Sequence, residues 1–196
     1  KVFVLRGADV YRVLDIECVD THVPAAPPLP DALLALRRTL DHLGAGDDLA
    51  QLADRALSAL ALGFGIRHAL LVLLDETGSA LYTLASLGYP TSGVGAEVAL
   101  GEGLIGVAAR ERMPVRINHR TGDYTYQAAL RVADPSAPRI PLPVLTDAHS
   151  QIAVPLLHGE RLFGVLYAES EHDAFFSHTD EDALVVYARH LAALAR

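Results

Sequence analysis

The sequence predicts an α+β fold in which an antiparallel sheet carries helices mainly on one face. Two pairs of strand-sized apolar segments, within residues 68–87 and 152–168, are each joined by a short turn that contains glycine. Segments of helical length, with apolar residues three and four apart, precede the first pair and follow the second. Because the helices do not alternate with the strands, a parallel sheet is disfavoured.

Residues 1–21 are strand-like, with partial alternation of apolar and polar positions. Residues 22–30, HVPAAPPLP, are proline-rich and therefore extended. We expect residues 1–30 to be an arm or the tail of an upstream domain plus a linker, and residues 31–196 to form one domain. The chain starts at Lys1 and stops inside a predicted helix, so we expect a piece of a longer protein.

The first predicted helix is capped by Asp31 and runs to about residue 42. Its leucines stand at positions 33, 36, 40 and 43, the spacing of a narrow coiled-coil seam. A second helix starts at Asp47 or Asp48 and ends at Gly63 and Gly65. We expect the leucine seam, together with apolar residues of the last helix, to form a homodimer.

The remaining predicted elements follow the second helix and end with a capped helix. Ser177 and Asp180 predict a capping box at the start of the last helix. Four prolines make residues 133–148 a long irregular loop, a kind of segment that is functional or mobile in compact domains. We expect strands at 68–74, 81–87, 97–100, 114–118, 152–157 and 162–168, and further helices at 104–112 and 124–131.

Composition excludes several classes of function. The net charge is −8 and Lys1 is the only lysine, so a clustered basic surface for nucleic acid is not expected. The single cysteine, Cys18, rules out an internal disulfide and favours a cytoplasmic setting. No apolar run approaches the roughly 20 residues of a bilayer span, so no membrane association is expected.

Three blocks, in order, resemble the GAF domain family, a PAS-related sensory fold. The first is the glycine-punctuated residues 101–106 followed by 112–117, the second is 118–124, NHRTGDY, and the third is 150–169. The resemblance covers the chain from about residue 49 to its end and implies a ligand pocket between the sheet and residues 118–150.

Five residues are candidates for that pocket. The resemblance places Tyr124, Tyr126 and Arg131 on the segment that crosses the sheet, where a ligand would meet aromatic faces and a guanidinium. His119 and His149 flank the same segment and could bond an anionic ligand or ligate haem. None of the nine histidines is paired at helical metal-ligand spacing, so no metal or cofactor is expected.

Other chemistries of the family are weaker matches. Phe176 followed by Asp180 and Glu181 matches half of the signature of cyclic-nucleotide-binding members, but the preceding Asn-Lys is missing near Glu169. We therefore expect Phe176 to pack under the last helix and the acids to cap it. The surroundings of Cys18 do not resemble a bilin attachment site, and one cysteine is too few for the family's free-methionine-sulfoxide reductases.

The sequence thus predicts a non-catalytic, cytoplasmic sensor or regulatory domain of a bacterial signalling protein. It would bind a small molecule and signal through its flanking helices to an output domain on the same full-length chain. The alternatives are a dimerisation scaffold without a ligand, and a haem or cyclic-nucleotide sensor.

Overall fold

The structure, a computed structural model, describes residues 2–6, 9–13, 32–43, 48–118 and 140–195. The predicted helix at 124–131, the first part of the predicted loop at 133–148 and the Asp31 cap lie outside these residues. In the N-terminal part, β1 (Val2–Arg6) and β2 (Asp9–Val13) pair antiparallel as a two-stranded sheet, in agreement with the strand-like pattern there.

Among the described residues, six strands form the main sheet, in the spatial order β5-β4-β3-β8-β7-β6, and every neighbouring pair is antiparallel. The predicted strands are confirmed, with ends that shift by one or two residues. Their bounds are β3 (His68–Leu74), β4 (Ala80–Leu87), β5 (Glu97–Ala99), β6 (Val115–Ile117), β7 (Ser150–His158) and β8 (Arg161–Ser170).

The described residues contain four helices: α1 (Ala32–Asp41), α2 (Leu49–Phe64), α3 (Gly103–Glu111) and α4 (His178–Leu194). Asp48 caps α2 by accepting a hydrogen bond from the Gln51 N–H, and Gly65 ends it in a left-handed conformation. The capping box of α4 is confirmed, since Ser177 and Asp180 bond each other's backbone N–H.

The two faces of the sheet have separate cores. On one face, here called the helix face, α1, α2 and α4 pack over residues such as Leu71 and Ile152. On the other, here called the α3 face, α3 packs over residues such as Leu70 and Val165. The predicted fold class, with helices mainly on one face, is therefore confirmed. The buried hydroxyl of Tyr187 on α4 donates to the Ala56 carbonyl oxygen of α2 at 3.0 Å, which joins two of the helices.

Glycine permits the close approach of α3 to the sheet. Gly103 begins the helix with a φ of 60°, in the left-handed region. A Cβ on Gly106 would lie 2.2 Å from the Ala99 carbonyl oxygen, which is much closer than a real Cβ contact. The first block of the family resemblance is therefore explained by packing.

Most leucines of the predicted α1 seam contact the core of the same chain. Leu36, Leu40 and Leu43 pack against the core of the helix face instead of standing clear of it. Helical spacing identifies an apolar stripe but does not say what covers it. The large apolar side chains that are exposed on the described helices are instead Leu34, Leu49, Leu62 and Val186.

Candidate ligand-binding face

A buried carboxylate lies on the α3 face, at the end of β8. Glu169 is 1% exposed, and Tyr167, two residues before it, belongs to the core that α3 covers. Because residues two apart on a strand share a face, Glu169 also faces this side of the sheet. Burying a charged carboxylate is unfavourable unless hydrogen bonds replace its water, so its partners identify what the site is built to hold.

Three donors bond Glu169 from different parts of the chain. The Tyr167 hydroxyl donates to Oε2 at 2.8 Å, and the Gln151 side-chain amide approaches the same oxygen at 3.4 Å. The backbone N–H of Leu145 donates to Oε1 at 2.7 Å. Leu145 lies in residues 140–148, which we call the strap and which lead from the undescribed 119–139 into β7. Glu169 therefore fastens the strap to the sheet.

Tyr89 lies beside this carboxylate. Burial, followed by the negative charge of Glu169, raises the pKa of Tyr89 far above the ordinary value for a phenol. Within the described residues the buried Tyr89 hydroxyl has no hydrogen bond of good geometry, although Glu169 is close enough to influence it. Its ring contacts that of His68, with centroids 5.4 Å apart. The site thus has a protonated phenol next to the buried carboxylate.

Both ends of the segment from 119 to 148 are attached to the connection between β8 and α4. At one end, Asn118 accepts a hydrogen bond from the Ala174 N–H at 2.9 Å, and its side-chain amide donates to the Phe176 carbonyl at 2.8 Å. At the other end, the His149 N–H donates to the Ser170 carbonyl at 2.8 Å, and its Nδ1 lies 3.0 Å from Asp173 Oδ1.

Ser150 and Arg116 also bond the connection between β8 and α4. We call the contacts of Asn118, His149, Ser150 and Arg116 with residues 170–181 the clasp. The Ser150 hydroxyl donates to the His172 carbonyl at 2.7 Å and accepts from the Phe175 N–H at 3.1 Å. The Arg116 guanidinium on β6 donates to the Phe176 carbonyl at 3.0 Å and pairs with Glu181 in the first turn of α4 at 2.7 Å. The clasp therefore connects both ends of the segment to residues 170–181, which include the start of α4.

The predicted site residues fall in two groups. His119, Tyr124, Tyr126 and Arg131 lie outside the described residues. His149 is described, and the structure places it in the clasp with Asp173. Phe176 is buried and Asp180 caps α4, as predicted. Glu169, Tyr89 and Gln151 were not predicted as site residues; the available signal was a carboxylate within an apolar strand.

The described residues contain neither a cluster suited to a metal ion nor a helix suited to a membrane span. No group of three or more His, Cys, Asp or Glu side chains there could hold a metal ion. None of the helices in the described ranges is long and apolar enough to cross a membrane.

The fold and site define an α+β domain with a buried polar group under a strap. A model of the GAF domain family matches residues 46–194, which is more than half of the chain, and the chain therefore belongs to the GAF domain family. No curated protein sequence matches it.

Solved structures with the same fold include GAF domains of larger proteins and free methionine-R-sulfoxide reductases. The GAF domain from Acinetobacter phosphoenolpyruvate-protein phosphotransferase has a TM-score of 0.66 at 23% identity, over 83% of this chain and 91% of that one. Free methionine-R-sulfoxide reductase from Neisseria meningitidis, in complex with its substrate, has a TM-score of 0.65 at 22% identity, over 88% and 94%. The A. aeolicus nlh2 GAF domain, in an inactive state, has a TM-score of 0.58 at 18% identity, over 84% and 94%. At these identities the likeness shows the fold alone.

Proposed function

We propose that this domain is a non-catalytic sensor that binds a small molecule on the α3 face, between the sheet and residues 118–150. The observation that supports it most is the fastening of the strap to Glu169, a buried carboxylate, by the Leu145 N–H. A ligand with hydrogen-bond donors would bond Glu169 or compete with that N–H. Binding would therefore change the position of the strap.

The ligand's chemistry follows from the groups around Glu169. A carboxylate accepts hydrogen bonds at about four lone-pair positions, and three donors are present in the described residues. Those donors are neutral, so the carboxylate's negative charge favours a ligand that offers a donor or a positive charge. The Tyr89 hydroxyl, protonated at neutral pH, would add a donor for a ligand oxygen.

The signal would leave through α4. The clasp joins both ends of the segment to residues 170–181, and Arg116 reaches the first turn of α4. Strap rearrangement would shift the start of α4 against α2, to which Tyr187 is bonded. An output domain on the same full-length chain, in the cytoplasm of a bacterium, would receive the shift, with residues 31–196 acting as one unit.

Enzymatic function is the main rival, because structural neighbours include free methionine-R-sulfoxide reductases. Thiol-based reduction of a sulfoxide forms a disulfide and needs a second thiol to resolve the first intermediate. The chain has one cysteine, Cys18, and residues 46–194 contain none. We expect no turnover of free methionine-R-sulfoxide with dithiothreitol above the rate of a Cys18→Ser variant. Turnover that this variant loses would replace the sensor proposal with an enzyme.

Thermal unfolding with a defined panel tests ligand binding. The panel contains the free amino acids, methionine sulfoxide, cyclic AMP, cyclic GMP and haem. We expect at least one compound with a primary amine to raise the Tm of the native protein and of Glu171→Gln, an exposed control, but not of Glu169→Gln. Equal shifts in all three proteins, or no shift with any compound, would contradict the proposal.

A dimerisation scaffold is the second candidate. Leu62, Val186 and Leu34 are 63%, 50% and 43% exposed on three different helices of the helix face. Apolar side chains of this size on helix surfaces are consistent with a helical interface between two copies. Light scattering should give a dimer that Leu62→Glu and Val186→Glu dissociate. A monomer at all concentrations would contradict the dimerisation scaffold.

A further inference from the structure

Three arginines converge on a groove that is distant from the proposed ligand site. The groove has a volume of about 580 Å³ and lies where the β3–β4 turn, the end of α3 and the β7–β8 turn meet. It includes Leu162, seven residues along β8 from Glu169, a separation of roughly 20 Å in an extended strand. The arginines are Arg110, Arg112 and Arg161.

Arg112 occupies a backbone position that favours glycine. It ends α3 with a φ of 54°, in the left-handed region, where a side chain with a Cβ is disfavoured. Its Nη1 donates to the Glu160 carbonyl oxygen of the β7–β8 turn at 2.8 Å. This one bond holds the guanidinium at the groove and leaves its other N–H groups available.

The other two arginines are also held in place. The Arg161 guanidinium lies 4.7 Å from the centroid of the Phe163 ring, and no carboxylate of the described residues pairs with it. Arg110 pairs with Glu111 at 2.8 Å and covers Gly101, where an added Cβ would lie 2.3 Å from its Nη1. A side chain at position 101 would displace this guanidinium.

The carboxylates of the groove pair with neither Arg112 nor Arg161. Asp75 accepts hydrogen bonds from Thr77, Ser79 and Ala80 within its own turn, so its oxygens are already used. Glu76 is exposed and, with Asp75, brings two negative charges to the groove, and Glu111 pairs with Arg110. Arg112 and Arg161 are therefore the guanidinium groups of the groove that no carboxylate of the described residues pairs with.

We propose that this groove binds a small organic dianion, a phosphate monoester or a dicarboxylate, with an apolar body. Guanidinium groups bind phosphate and carboxylate oxygens through paired hydrogen bonds. Leu74, Leu162 and Phe163 supply apolar surface for the rest of the ligand. The volume is in the range of pockets for small molecules. The site would work independently of the α3-face ligand.

Calorimetric titration of the whole chain with phenyl phosphate, phthalate and inorganic phosphate tests this. The variants are Arg112→Gln and Arg161→Gln, with Arg189→Gln on the exposed surface of α4 as the matched control. Glu169→Gln separates this site from the proposed ligand site. Circular dichroism of each variant checks that it is folded.

We expect phenyl phosphate or phthalate to bind saturably at millimolar concentration and more tightly than inorganic phosphate. Arg112→Gln and Arg161→Gln should each weaken this binding about tenfold, which is the loss of one charge-assisted contact. Arg189→Gln and Glu169→Gln should not change it. Absence of saturable binding, or an equal loss in Arg189→Gln, would overturn the proposal. A loss in Glu169→Gln alone would assign the anion to the α3 face and overturn it too.

Discussion

The Leu145 backbone N–H donates to Glu169 Oε1 at 2.7 Å across 24 positions of sequence. This contact joins an irregular segment to a core strand. The carboxylate that accepts it is 1% exposed and also bonds Tyr167. It follows that the strap, the sheet and the proposed ligand site share one buried group.

Replacing Glu169 with glutamine should destabilise the domain. The amide keeps one acceptor oxygen and places a donor against the Tyr167 hydroxyl or the Leu145 N–H, so a buried donor loses its acceptor. We expect the free energy of unfolding in urea to fall by about 1–3 kcal/mol. Glu171→Gln, at an exposed position near the end of the same strand, should change it by less than about 0.5 kcal/mol. Equal effects of the two substitutions would show that the carboxylate is not structural.

The pair of Arg116 and Glu181 should be energetically coupled. Their side chains are 15% and 24% exposed, and Arg116 also bonds the Phe176 carbonyl, so water screens the pair only in part. A double-mutant cycle with Arg116→Gln and Glu181→Gln should give a coupling energy of about 1–2 kcal/mol in urea unfolding. A cycle of Arg189→Gln with Glu181→Gln is the control. Additive effects in the first cycle would mean that β6 and α4 are not linked through these side chains.

Asp75 should make folding stability depend on pH in the acid range. Hydrogen bonds, first from Thr77 and then from the Ala80 N–H, lower its pKa from 3.8 to about 2. Its folded-state pKa is depressed, so its contribution to stability is complete above about pH 4 and is lost as pH falls toward 2. The difference in urea midpoint between native protein and Asp75→Asn should therefore shrink from pH 5 to pH 2. A constant difference across this range would contradict the assignment.

Gly106→Ala should disrupt the packing of α3. The new Cβ would lie 2.2 Å from the Ala99 carbonyl oxygen and 2.9 Å from the Gly101 nitrogen, both backbone atoms that cannot move alone. We expect a loss of about 2 kcal/mol or more in the free energy of unfolding, despite the better helix propensity of alanine. Val107→Ala, at the next and half-buried position, removes atoms and should cost less. A stabilised Gly106→Ala variant would show that α3 can shift freely.

Local patterns predicted most of the fold. The hairpin of β7 and β8 was visible as two apolar runs around a glycine turn, and the cap of α4 as Ser177 and Asp180 three residues apart. Each depends on residues within one element or one turn. The leucine spacing of α1 also predicted an apolar helix face. It did not predict what that face contacts, and Leu36 and Leu40 pack against the chain's own core.

The candidate site depends on contacts between distant residues. Leu145 and Glu169 are 24 positions apart, and Arg116 and Glu181 are 65 apart. A periodic pattern in the sequence does not indicate contacts between distant residues. The family resemblance instead pointed to aromatic residues and histidines around the strap. His149 was found in the clasp, where Asp173 bonds it. The positions of the other four candidates remain predictions.

Hydrogen exchange of backbone amides in ligand-free protein tests the central claim most directly. We propose that Glu169 holds the strap and that the clasp couples the strap to α4, so Glu169→Gln should speed exchange at Leu145 and in the first turn of α4. Glu171→Gln should change neither. Faster exchange at Leu145 with the first turn of α4 unchanged would contradict the coupling, and unchanged exchange at Leu145 would contradict the role of Glu169.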